Sequence, residues 1–240
     1  MMDDEHNDQI LAILFDVDGC LISTGGAGTR AWRDAFNRLH GIPADIGQFT
    51  EAGMTDPEVG RLTFARVLGR EPTDQEMARL LGAYLEQLVK EVELSPGYRV
   101  MPGVAALLPR LVDAGIMLGL VSGALDAAAH IKLARAGLNR FFLFGGYGSD
   151  SSDRGELTRM AIDRCGRLHG HPTEPTRVLV VGDTPHDIEA AHAARAIAVG
   201  VATGKYSVEA LRSAGADHVL ATLQEQLPGV PEKQTQSGGQ

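Results

Sequence analysis

The stretch Ile10-Leu-Ala-Ile-Leu-Phe-Asp-Val-Asp-Gly-Cys-Leu-Ile-Ser23 decides how the rest of the chain reads. Its first six residues, ILAILF, are apolar without alternation, the pattern of a strand covered on both faces. The run ends in Asp16 and Asp18, which flank Val17 and precede Gly19. Two carboxylates at alternate positions of an extended segment point the same way and repel each other. A strand gains nothing from that pair, so either a surface turn or a nearby cation accounts for it.

Four further apolar runs resemble the first: Ile116–Val121, Phe141–Phe144, Arg177–Val181 and Ala196–Val201. Helical patterns at Leu125–Ala136, Leu157–Leu168 and Ile188–Ala194 separate them. This alternation predicts an α/β fold, a Rossmann-like parallel sheet with helices on both faces. The stretch from Ser23 to Gly97 differs. It reads as helices alone, Thr29–His40, Pro57–Leu68 and Thr73–Glu93, between loops rich in Gly and Pro. The expected organisation is a discontinuous core of residues 1–22 and 98–228, an inserted α-helical domain over 23–97, and a flexible tail over 229–240. Gly25, Gly26 and Gly28 at the entry offer a hinge.

Bulk properties narrow the function. The chain has 240 residues, 44% hydrophobic, with a net charge of −9. No basic run stands out, so a nucleic-acid partner is not expected. No apolar run approaches the ~20 residues that span a bilayer, and no membrane partner is expected. Cys20 and Cys165 form no disulfide framework or CxxC motif, and the N-terminal MMDDEHNDQ is polar and acidic, unlike a secretory signal. A reduced, cytoplasmic setting is the expectation. A monomer or a homodimer is the expectation.

Three more segments place polar groups where strands end. VSGAL (Val121–Leu125) sets Ser122 and Gly123 ahead of a helix, where a hydroxyl and an amide can hold an anion. SDSSDRGEL (Ser149–Leu157) has capping-box spacing at Asp153 and Glu156, which puts Arg154 and Gly155 in the first helical turn. A cation and a glycine are both poor local choices there, and an arginine beside helix N–H groups makes an oxyanion site. VLVVGDTPHDIEAA (Val178–Ala191) ends its strand at Gly182–Asp183, with Thr184 as N-cap and Pro185 as first helical residue. Asp187 also fits the acid of a Thr-x-x-Asp cap. Three acids, a hydroxyl, a glycine amide and an arginine thus fall at the same end of the expected sheet, where open α/β sheets bind ligands. Close carboxylates require a cation, and an all-oxygen donor set selects a hard ion such as Mg²⁺. The arginine and Ser122 remain for an anion, and a metal beside an anion site points to phosphate.

DVDGCL, VSG, the Arg154 segment and GDTPHD, in that order with a helical insertion after the first, resemble the haloacid dehalogenase superfamily of phosphatases. The resemblance runs from Ile10 to about Leu223. It implies an Mg²⁺-dependent phosphatase that cleaves a small-molecule phosphate ester through an aspartyl-phosphate. It implies Asp16 as nucleophile and Asp18 as general acid and base. Asp16, Asp18 through its carbonyl, Asp183 and Asp187 are the implied metal residues, and Ser122, Gly123 and Arg154 hold the phosphate. The helical insertion would be a cap that selects substrate, and EAGMTDPE (Glu51–Glu58) would bring Thr55 and Asp56 to the substrate; either residue also suits the N-cap of the helix at Pro57. Two residues depart from the pattern: Cys20 stands where Thr is usual, and Arg154 stands for lysine. Lys132, inside a helix after Ser122, reads as a poor replacement for that lysine. A phosphoglucomutase-like phosphoryl transfer, or a non-catalytic binding protein, are the alternatives. Redox control through Cys20 is a narrower one, against which the neighbouring acids should raise its pKa.

Overall fold

The computed structural model describes residues 9–231. Eight strands and eight helices appear in the order β1 (Ala12–Phe15), β2 (Ile22–Ser23), α1 (Ala27–His40), α2 (Asp56–Leu68), α3 (Asp74–Leu94), β3 (Arg99–Val100), α4 (Val104–Asp113), β4 (Met117–Ser122), α5 (Asp126–Ala134), β5 (Phe144–Tyr147), α6 (Arg154–His169), β6 (Val178–Gly182), α7 (Pro185–Ala193), β7 (Ile197–Val201), α8 (Val208–Ser213) and β8 (His218–Leu220). Six strands form one parallel sheet in the order β5-β4-β1-β6-β7-β8. β1 lies between β4 and β6, so Asp16, Ser122 and Asp183 leave three adjacent strands at one edge.

Both faces of the sheet are covered. Ile13 and Phe15 of β1, with Leu179 and Val181 of β6, pack into the core that includes residues of α4 and α5. Ala12, Leu14, Val178 and Val180 face the opposite way into a second core with Leu157 of α6 and Ile188 of α7. The two-residue period, apolar on both phases, is what made the strands read as unbroken runs.

Helices α1, α2 and α3 occupy the stretch between β2 and β3, two short strands that pair antiparallel. Trp32 and Tyr84 stack between α1 and α3 with ring centroids 4.4 Å apart. The two connections lie together: Ser95 Oγ donates to Thr24 O at 2.7 Å and Arg30 donates to Gly25 O at 2.9 Å. The helix starts at 56 and 74 carry full capping boxes, Thr55 with Glu58 and Thr73 with Glu76.

Several elements differ from the sequence reading. The run Phe141–Phe144 is no strand. Residues 138–141 form a 3₁₀ turn, and β5 begins at Phe144 and continues through Gly145 and Gly146, which carry no apolar signal. Helix α4 contains Pro109, whose breaker character hides it, and β8 contains the exposed His218. Val230 is buried and Gln226 donates to its carbonyl at 2.6 Å, so the first part of the expected tail is anchored at Val230, between the exposed Gly229 and Pro231. The rest of that tail lies outside the described residues. Among the described residues no helix is long and apolar enough to cross a membrane.

Candidate active site

The carboxyl ends of β1, β4 and β6, the start of α6 and the loop before α2 enclose a cavity of about 190 Å³. Asp16, Asp18, Asp56, Ser122, Gly123, Lys132, Arg154 and Asp187 are among its lining residues. All of the residues singled out for chemistry line it except Thr55 and Asp183, and Asp183 adjoins it as a neighbour of Asp16.

Asp16 follows β1 directly, and its N–H donates to Val181 O at 2.9 Å, which extends the ladder by one residue. Its carboxyl is buried. Burial first, then the charge of Asp187, holds its pKa well above the usual carboxylate range, with Arg154 opposing. Asp183 is also buried, and burial followed by Asp187 pushes its pKa up to about 7. One oxygen from each of Asp16, Asp183 and Asp187 lies within 4.8 Å of the others. Arg154 is the cation in contact with Asp16 and Asp187, with Nη2 3.6 Å from Asp16 Oδ1.

Asp187 has two roles at once. Its Oδ2 accepts from the Thr184 amide at 3.0 Å and hydroxyl at 2.7 Å, completing a capping box at α7. Its Oδ1 accepts from Arg154. Arg154 is the first residue of α6, as its spacing from Asp153 predicts. The capping box expected there is only half made: Asp153 accepts the Glu156 amide at 3.0 Å, but the Glu156 carboxylate takes the Ser151 hydroxyl instead.

Asp183 is the carboxylate that remains unengaged. Its Oδ1 is buried with no hydrogen-bond partner. Gly19, at φ +90°, and Gly204 press against this carboxylate so closely that a side chain on either would collide with it. Thr203 closes the same corner by donating to Gly19 O at 2.6 Å. An orphaned buried oxygen, three crowded carboxylates and an all-oxygen donor set fit a hard divalent cation. Asp16 and Asp183 have the oxygens to hold it, with Asp187 beside them. Asp18 is not one of the three, and its carboxylate pairs with Lys132.

Ser122 ends β4 and is buried. Its Oγ accepts the Ala124 amide at 3.3 Å, which leaves its own O–H to donate into the cavity. Asp56 reaches the site from the helical segment: its Oδ2 accepts the Leu125 amide and its N–H donates to Gly123 O, both at 2.8 Å. Arg154 donates to Gly53 O at 3.3 Å from the core side. Thr55 does not face the cavity. It is fully buried, its hydroxyl and amide are consumed by Glu58, and the helix it caps begins at Asp56 rather than Pro57.

Lys132, a poor replacement for the usual lysine by sequence position, nevertheless reaches the site. It is buried on α5, and its Nζ lies 2.5 Å from Asp18 Oδ2. Burial opposes its charge, but Asp18, Tyr84 and Asp56 outweigh that and raise its pKa. A signal was present: Ala128, Ala129, Lys132 and Leu133 share one buried face of α5, and a lysine on an apolar stripe needs a partner. Cys20 is fully buried, and burial, then Asp16, raises its pKa well above that of a free thiol.

A family model described as haloacid dehalogenase-like hydrolase matches residues 10–195. A phosphoglycolate phosphatase from Synechococcus elongatus is 30% identical over 224 residues, covering 92% of this chain and 97% of the relative. The crystal structure of CbbY from Rhodobacter sphaeroides in complex with phosphate superposes with a TM-score of 0.70 at 22% identity, covering 92% of this chain and 99% of that one. A β-phosphoglucomutase from Clostridium difficile gives 0.68 at 21% identity, covering 90% and 92%. At these identities the two structures share the fold.

Proposed function

This chain belongs to the haloacid dehalogenase-like hydrolase family and is a phosphoric monoester hydrolase, and from that premise we propose that it hydrolyses a small-molecule phosphate ester with Mg²⁺, through an aspartyl-phosphate on Asp16. The observation that carries this reading is the crowding of Asp16, Asp183 and Asp187 around the orphaned Asp183 oxygen, next to an arginine and a serine hydroxyl. The carboxylates ask for a cation, and Arg154 with Ser122 asks for an anion.

Asp16 and Asp183 would hold Mg²⁺, supported by Asp187 and the Asp18 carbonyl. When bound, the ion neutralises charge on the carboxylates and on the phosphoryl oxygens. Ser122, the Gly123 amide and Arg154 orient the phosphoryl group. An Asp16 oxygen attacks phosphorus, the bond to the ester oxygen breaks, and Asp18 gives that oxygen a proton, so an alcohol leaves. Asp18 then takes a proton from the water that attacks the phosphorus of the aspartyl-phosphate. Inorganic phosphate departs, and Asp16 is restored as carboxylate.

Residues 23–97 act in this reading as a cap hinged at Gly25 and Gly97, with Asp56 as its contact at the site. A cavity of about 190 Å³ suits a substrate of few atoms beyond the phosphate. The phosphoglycolate phosphatase relative is in keeping with that size. The test is phosphate release from a panel of small metabolite phosphates, with Mg²⁺ and with EDTA, by wild type and Asp16→Asn. Release that needs both Mg²⁺ and Asp16 is the expected result. Release by Asp16→Asn at the wild-type rate refutes the reading, and an isomerised phosphate without free phosphate replaces it with a mutase.

A further inference from the structure

We propose that Lys132 is a positioning residue for Asp18, so that two cations divide the site: Arg154 serves Asp16 and Asp187, and Lys132 serves the proton-transferring aspartate. The inference rests on the role assigned to Asp18 above and deepens it.

The geometry separates the two tasks. Arg154 reaches Asp187, Asp16 and Gly53 O. Among the described residues it makes no ion pair with Asp18; Lys132 is the partner of that carboxylate. The two members of the pair differ in freedom. The Asp18 side chain is 45% exposed, whereas that of Lys132 is 7% exposed. A half-exposed aspartate alone samples several rotamers. A buried ammonium 2.5 Å from its carboxylate favours one direction.

Lys132 is fixed from behind. Helix α5 packs on α3, and Tyr98 donates to the Lys132 carbonyl at 2.8 Å. Asp56 shares the cavity wall with Lys132 and Asp18 and accepts the Leu125 amide one residue before α5 begins. The lysine therefore stands where the helical segment, α5 and the loop after β1 meet. Packing does not require a cation here. The other residues of its face are Ala128, Ala129 and Leu133, and a leucine or methionine would fill the position without the cost of burying charge. The charge is explained by what it holds.

The test is a double-mutant cycle of Lys132→Met and Asp18→Asn, read on an alkyl phosphate and on p-nitrophenyl phosphate, whose leaving group needs no proton. Lys132→Met is expected to lower kcat on the alkyl ester roughly 10–100-fold with KM little changed. The loss should be smaller on the aryl ester. In the Asp18→Asn background the same substitution should cost less than about twofold, because the residue it acts through is already gone. Lys132→Arg should recover part of the activity, and it also serves as the measurable variant if Lys132→Met does not fold.

An equal loss in both backgrounds overturns the proposal, as does a loss carried wholly by KM, which would make Lys132 a substrate contact. Wild-type activity in Lys132→Met overturns it as well. Wild-type alkyl-ester activity in Asp18→Asn removes the reading of Asp18 and this inference with it. An impaired Asp18→Asn with additive Lys132→Met removes this inference alone.

Discussion

Binding of Mg²⁺ should stabilise this protein more at high pH than at low, and Asp183, whose raised pKa adds to that of Asp16, contributes a definite share of the difference. Its pKa rises from an ordinary 3.8 to about 7 in the folded chain. The folded state therefore keeps a proton that the unfolded state releases. For a carboxyl raised in this way, stability is fully present below 3.8 and is lost as pH climbs to about 7. The full interval corresponds to on the order of 4 kcal/mol, at about 1.4 kcal/mol per tenfold change in proton affinity. The part between about pH 5 and about pH 7 is about 3 kcal/mol. For a chain of this length that is roughly 6–12 °C in melting temperature. A divalent cation seated on Asp16 and Asp183 takes the place of the proton and removes the penalty. The assay is thermal unfolding in EDTA and in saturating Mg²⁺ at about pH 5 and about pH 8. In EDTA the melting temperature should fall toward the higher pH. In Mg²⁺ it should fall much less, so the gap between the two curves widens with pH. Asp183→Asn should make the EDTA profile shallower, leaving the part that Asp16 contributes, and shrink the response to Mg²⁺. A gap independent of pH, or an Asp183→Asn protein as pH-sensitive as wild type, would refute the reasoning.

Two other expectations test the same corner of the molecule. Gly204→Ala drives a methyl group into the Asp183 carboxylate and should weaken Mg²⁺ binding at least about tenfold by calorimetry, or roughly 1.4 kcal/mol; unchanged affinity would show that the corner yields freely. Cys20 should resist alkylation by iodoacetamide in the folded protein at neutral pH and react only on unfolding, as read by mass spectrometry, because its thiol is fully buried and holds its proton. Rapid native labelling would revive the case for redox control.

The parts of the site that the sequence displays are those where local pattern and function coincide. Asp16 and Asp183 stand where apolar runs end, Asp183 one glycine beyond its run, so strand ends mark them out. Ser122 is marked in the same way by the run Ile116–Val121 before it. Arg154 shows itself by being a poor choice for the first turn of a helix. Thr55 illustrates the opposite case. A threonine three residues before a glutamate is explained by the capping box it makes, and no chemistry is left over for it. Asp187 shows that a local explanation need not be exclusive. One oxygen completes the cap of α7 while the other receives Arg154, and sequence spacing reveals only the first of these.

Lys132 shows only as a lysine on an apolar helix stripe, and Gly204 not at all, because their meaning depends on how elements are rotated and brought together. Lys132 is ten positions past Ser122, and only the docking of α5 on α3 turns its side chain inward toward the loop after β1. Gly204 follows β7, which is two strands from Asp16, yet its backbone closes on Asp183 because β7 lies beside β6 and ends level with it. Both residues act on an aspartate of the site rather than on a ligand. Motifs at strand ends therefore identify the carboxylates, while the residues that aim Asp18 and confine Asp183 lie in segments with no motif. The pairing of Lys132 with Asp18 also bears on the two departures from the usual pattern. An arginine at position 154, held by Asp187 and the Gly53 carbonyl, has its fork committed on the Asp16 side, and the lysine charge reaches Asp18 from a different helix. The protein's own cations then serve Asp16, Asp187 and Asp18 from α6 and α5, and Asp183 alone is left to a bound cation.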